Sequence, residues 1–148
     1  MPYFSNIKRV SILIATTSTL LACNSSTAIS ASETLSGKWL IESIQSQYVI
    51  NKGSVTLIFN ADQQLSGSAS CNNISSSYKL QNSSLTIAPI ASTRKVCLPA
   101  IMEQESDLLQ ALSKVRRFQL HNDQLSMYDQ QGALQIKAKR YKPLESMR

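Results

Sequence analysis

Residues 117–141 read RFQLHNDQLSMYDQQGALQIKAKRY, and their pattern decides the fold. Phe118 and Leu120 alternate with Gln119 and His121. Leu125 and Met127 alternate with Ser126 and Tyr128, and Leu134, Ile136 and Ala138 with Gln135, Lys137 and Lys139. Successive side chains of a strand point to opposite faces, so each run has one apolar and one polar side. The links His121-Asn122-Asp123 and Asp129-Gln130-Gln131-Gly132 carry turn-forming residues. The stretch predicts a three-stranded antiparallel meander with one buried face.

Upstream, residues 99–115 (PAIMEQESDLLQALSKV) predict one helix. Ile101, Leu108, Leu112 and Val115 share a face at helical spacing, flanked by Met102, Glu105 and Leu109. Pro99 suits the first turn, where its missing N–H costs nothing. Glu103 and Glu105 lie toward the positive end of the helix dipole, and Lys114, Arg116 and Arg117 toward the negative end.

Residues 37–48 predict a first strand ending near Ile44, with imperfect alternation. In residues 53–60 (GSVTLIFN), Val55, Leu57 and Phe59 share one face and Thr56 and Ile58 the other. Residues 61–64 form a turn, and residues 64–70 return as the partner strand. Gly67 inside that strand marks a bulge or a close backbone approach. Cys71-Asn72-Asn73 reads as a corner. Residues 77–80 and 84–87 read as short strands, and residues 91–96 as a loop or short strand leading to Cys97.

The chain begins MPYFSNIKRVSILIATTSTLLAC. Lys8 and Arg9 precede an uncharged stretch, residues 10–22. At about 1.5 Å per residue it would reach only about 20 Å as a helix, short of the ~30 Å hydrocarbon core. Its size and basic flank predict a signal peptide over residues 1–22. Leu20-Leu21-Ala22-Cys23 resembles a lipoprotein processing site, which makes Cys23 the lipidated residue. Residues 23–34 are then the lipidated cysteine and a flexible tether, residues 35–142 one domain, and residues 143–148 a tail. Such a protein is anchored to a membrane without spanning it.

The 148-residue chain has a formal charge of +6, and removing Lys8 and Arg9 takes it to +4. With Cys23 assigned to lipid, Cys71 and Cys97 remain as a pair in an oxidising compartment, where a disulfide is expected. The alternative is a free thiol at Cys71, but the one histidine, His121, has no recognisable partner for it. No His, Cys, Asp or Glu cluster has metal-ligand spacing, and no serine is nominated for catalysis. Neither a cofactor nor a nucleic-acid partner is expected.

Several segments in order resemble a known family. They are Leu35-Ser36-Gly37-Lys38-Trp39, Val55-Thr56-Leu57-Ile58-Phe59, and Gly67-Ser68-Ala69-Ser70-Cys71-Asn72-Asn73-Ile74. Tyr78, Thr93-Arg94-Lys95-Val96-Cys97, Glu105, Leu108, the Tyr128-Asp129 pair and Gly132 follow. The combination is similar to the META domain, the family of the heat-shock protein HslJ and related envelope lipoproteins. The resemblance covers about residues 35–138. It implies an α+β fold, a curved and mostly antiparallel β-sheet with one packed α-helix. It also implies roles in stress response or antibiotic tolerance, and carries over no catalytic residues. Ser70 stands where that family often has glycine, which restricts the backbone there.

If Cys71 and Cys97 are bridged, Asn72, Asn73, Thr93, Arg94 and Lys95 gather at one corner. That corner can be a polar binding site, with Arg94 holding a carboxylate or phosphate by two bonds. The alternative, which the frequency of Asn in turns favours, is a disulfide-stapled corner whose asparagines only fix turns. The functional expectation is a non-enzymatic envelope lipoprotein on the outer membrane facing the periplasm, interacting with another envelope protein. The alternative is a carrier or sensor for a small hydrophobic ligand.

Overall fold

A computed structural model describes residues 35–51 and 54–143. The expected signal peptide, the expected lipidation site at Cys23 and the expected tether lie outside the described residues, as does the part of the expected tail beyond residue 143. The strands are β1 (Gly37–Ile44), β2 (Gln47–Tyr48), β3 (Val55–Phe59), β4 (Gln64–Ala69), β5 (Asn73–Gln81), β6 (Ser84–Ile87) and β7 (Ala91–Ser92). Helix α1 (Pro99–Lys114) follows, then β8 (Arg117–His121), β9 (Gln124–Tyr128) and β10 (Leu134–Arg140).

Neighbouring strands run in the order β10-β9-β8-β6-β5-β4-β3-β1, and β10 also pairs with β1. The sheet thus closes into an eight-stranded antiparallel barrel. The sequence predicted an antiparallel sheet and one helix, and both are present, but "curved sheet" understates the closure. The closing pairs, such as Trp39 with Arg140 and Ile44 with Ile136, join opposite ends of the domain. Short β2 adds outside β1, and β7 outside β5.

The inward faces of the strands fill the barrel. Trp39, Ile41, Val55, Leu57, Phe59, Leu65, Leu85, Leu125, Met127 and Ile136 are all buried. Each fully buried Leu or Ile contributes about 2 kcal/mol relative to exposure. Trp39 donates its indole N–H to the Leu35 carbonyl at 2.8 Å, so the large ring is buried without stranding its polar atom. Phe59 meets Tyr78 edge-on at 5.2 Å between ring centres.

Two bulges explain the irregular alternation. In β1 the register with β10 shifts between Ile41 and Ser43, so Glu42 is the extra residue. In β10 the register with β9 shifts between Leu134 and Ile136. Ile136 and Ala138 face inward as expected, but Gln135 is buried and Leu134 is only half-buried. The expected facing of Leu134 and Gln135 is therefore exchanged, and Gln135 is satisfied by donating to Asp129 at 2.9 Å.

Gly67 lies at no bulge. A Cβ there would sit 2.0 Å from the Thr56 carbonyl oxygen, so the close-approach reading holds. Ser70, despite being non-glycine, adopts φ +85°, a left-handed conformation that costs an L-residue about 1–2 kcal/mol. Its hydroxyl accepts a hydrogen bond from Gln104 at 2.6 Å, which favours that geometry. β5 starts at Asn73, four positions earlier than the predicted strand at Ser77, because β4 pairs along its whole serine-rich length.

α1 lies against β10, β4 and β1. Leu108, Ala111, Leu112 and Val115 are buried as the helical spacing requires, but Met102 is exposed. Toward its N-terminus the helix buries Gln104 and Glu105 instead. Gln104 bonds to Ser70 just past β4, and Gln110 meets Gln45 just past β1. The helix therefore covers the end of the barrel where β1 and β4 finish.

Candidate functional site

The predicted corner forms at that covered end. Cys71 and Cys97 are bonded, with Cα atoms 6.0 Å apart. Between them, Asn72 is the hub. Its side-chain oxygen accepts from the Thr93 hydroxyl and the Lys95 N–H, each at 2.7 Å. Its amide nitrogen donates to Glu105 Oε1 at 2.9 Å and to the Lys95 carbonyl at 3.3 Å. The backbone N–H of Asn72 donates to Glu105 Oε2 at 2.9 Å. The Lys95 N–H can only donate, which fixes the orientation of the amide.

Every hydrogen-bonding position of the Asn72 side chain is thus occupied within the protein. Asn72 and Glu105 are both buried, and the Ser92 hydroxyl gives the carboxylate a third donor at 3.4 Å. Thr93 is likewise engaged, and its backbone N–H bonds the Asn73 carbonyl at 3.1 Å. The group ties three elements together: the β4–β5 corner, the loop 93–98 and α1. Asn73 and Arg94 of the predicted corner are exposed, and Arg94 lines an open depression of about 480 Å³. Within the loop, Val96 and Leu98 are 92% and 74% exposed.

A larger depression, about 580 Å³, lies on the outside of the barrel where β1 meets β10. Leu40, Tyr48 and Leu134 supply its apolar surface, and Glu42, Lys137 and Lys139 its charges. Leu40 lies between inward-facing Trp39 and Ile41, and Lys137 and Lys139 flank inward-facing Ala138, so these side chains point outward. Tyr48 is 79% exposed. A surface of this kind, apolar with a charged rim, can seat a side chain or short segment of another molecule. Sequence reasoning did not single it out. Leu40 at an outward parity position was a usable signal, whereas the bulge in β10 concealed Leu134.

Trp39 serves the core, and the Arg140 guanidinium stacks 4.2 Å above its ring. His121 lies exposed at the β8–β9 turn. Among the described residues no group of three or more His, Cys, Asp or Glu is arranged to hold a metal ion. Among the same residues no helix is long and apolar enough to cross a membrane. Burial, more than the nearby Asp62 carboxylate, raises the Tyr78 hydroxyl above its ordinary value. The Lys142 ammonium bonded to Asp123 holds that carboxyl below its usual range.

The META domain family model matches residues 31–141. None of the curated proteins compared matches the chain. Among solved structures, a protein determined by NMR superposes with a TM-score of 0.61 at 25% identity, covering 76% of this chain and 96% of its own. A second NMR structure, of a protein from Burkholderia xenovorans, gives 0.63 at 18% identity and covers 84% and 100%. The crystal structure of a DUF4847 family protein from Bacteroides vulgatus gives 0.58 at 12% identity and covers 73% and 94%.

Proposed function

This chain belongs to the META domain family, and from that premise we propose that it is a non-enzymatic envelope lipoprotein that binds another envelope protein on the outer groove of β1 and β10. Cys23 carries the lipid, and residues 24–34 tether the domain on the periplasmic side of the outer membrane. The role is structural or protective under envelope stress. The observation that carries this reading is the division of the molecule's polar and apolar groups. The barrel interior is occupied by its own side chains, and the Asn72 corner is consumed by internal bonds. Among the described residues, Leu40 and Leu134 line an outer depression of about 580 Å³ with Glu42, Lys137 and Lys139 at its rim, which supports a docking role.

Two measurements test it. Cell fractionation of Cys23→Ala should move the protein from membranes to the soluble periplasm, and unchanged membrane association would remove the anchor. Native mass spectrometry of protein purified gently from envelopes separates an interaction protein from a ligand carrier. A mass equal to the lipidated chain is expected. A reproducible added mass of lipid size would favour the carrier.

A further inference from the structure

A second charged surface flanks the point where the domain begins. Lys38 stands on β1 three residues after Leu35, and Tyr141 donates its backbone N–H to the Lys38 carbonyl at 2.8 Å. The Lys38 ammonium lies 4.7 Å above the Tyr141 ring. Arg140 bonds the Ser36 carbonyl at 2.9 Å, and both Arg140 and Lys142 pair with Asp123. Lys139 joins them along a depression of about 380 Å³ that runs into the outer groove at Leu40 and Glu42. Lys38, Lys139 and Lys142 are exposed, and Tyr141 is 43% exposed. Four cations thus stand against Asp123 and, farther along, Glu42, with an amphipathic tyrosine among them.

We propose that Lys38, Lys139, Lys142 and Tyr141 form a docking surface for the anionic phospholipid headgroups of the membrane that holds Cys23. The proposal rests on the lipid anchor proposed above. Residues 23–35 reach at most about 40 Å, so the anchor keeps the domain within contact range and supplies a high effective concentration of headgroups. The chain enters the domain beside this surface, so docking requires no reach around the barrel. Tyrosine suits the headgroup level, with an apolar ring and a polar tip. Each cation near an anionic surface contributes about a fivefold gain in binding. The outer groove continues away from this end toward Ser43, Ser46 and Leu134, which leaves it accessible to a protein partner.

The lipidated protein, residues 23–148, is reconstituted into vesicles with an acceptor dye on the headgroups. A donor dye is placed at Gln124→Cys, next to the cluster, or at Asp107→Cys on α1. Phosphatidylcholine vesicles are compared with vesicles containing phosphatidylglycerol. The donor at position 124 should transfer more strongly on anionic vesicles, and more than the donor at 107. High salt should abolish the difference, since the screening length falls to about 3 Å at 1 M. Lys38→Gln/Lys139→Gln/Lys142→Gln should lower the docked-to-free ratio on the order of a hundredfold, returning transfer to its level on neutral vesicles. Arg94→Gln/Lys95→Gln, which removes cations from the opposite loop, should leave it unchanged. Circular dichroism of each variant confirms folding. Transfer independent of headgroup charge, or lost equally in both variants, would overturn the proposal while leaving the anchor intact. Failure of the protein to float with neutral vesicles would remove the anchor, and the docking proposal with it.

Discussion

Replacing Asn72 by alanine removes four side-chain hydrogen bonds at once, to Thr93, to the N–H and carbonyl of Lys95, and to Glu105. A neutral bond contributes about 1 kcal/mol net and one to a charged group about 1.5–3. The bond to the Lys95 carbonyl is long, and water can reach the loop side. The Glu105 oxygen, however, stays buried with only the Ser92 hydroxyl near it, while the Asn72 backbone N–H serves the other oxygen. The expected loss is about 3 kcal/mol. Urea unfolding followed by the fluorescence of Trp39, the single tryptophan, measures it. With a slope near 1.5 kcal/mol/M the midpoint should fall by about 2 M. Glu105→Ala should cost a similar amount, and the double variant far less than the sum, because both remove one coupled unit. A loss for Asn72→Ala below about 0.5 kcal/mol, the range of an ordinary surface substitution, would refute the clamp. It would also return Asn72 to the pool of residues available for a ligand.

The other stability predictions concern single sites. Cys71→Ser/Cys97→Ser opens a loop of 26 positions and should cost about 3.5 kcal/mol on the chain-entropy model, read by the same urea titration. Gly67→Ala drives a methyl group into the Thr56 carbonyl and should cost about 3 kcal/mol, visible as a lowered Tm. Tyr78→Phe removes the bond from its hydroxyl to the Asn60 carbonyl, 2.7 Å, and should cost about 1 kcal/mol at pH 7. Because Tyr78 is raised, the folded protein keeps a proton that the unfolded chain loses above about pH 10. Stability should therefore fall as pH rises beyond that point, and less steeply in Tyr78→Phe.

The elements were legible in the sequence where one face is buried without interruption. Val55, Leu57 and Phe59 in β3, and Leu125 and Met127 in β9, alternate cleanly and are buried as expected. Alternation reports which side of a strand is apolar but not which strand lies beside it. The pairing of β1 with β10 is set by registers nearly a hundred residues apart, so a closed barrel and an open curved sheet leave the same pattern. Bulges at Glu42 and in β10 also break the count of two. In β5 the serines between Ile74 and Tyr78 masked a strand whose ladder is backbone chemistry. The corner of Asn72, Asn73, Thr93 and Arg94 was legible as a place, through the two cysteines. The partner that occupies Asn72 was not, because Glu105 lies on a helix where its position read as a dipole contact.

Site-specific photo-crosslinking in living cells tests most directly where the protein is recognised. A photoreactive residue replaces, in turn, Leu40, Tyr48 or Leu134 in the outer groove, and Asn73 or Arg94 at the stapled corner. The account predicts one shared crosslinked product from the three groove positions and none from the corner. A product formed from Asn73 and Arg94 but absent from the groove would contradict it.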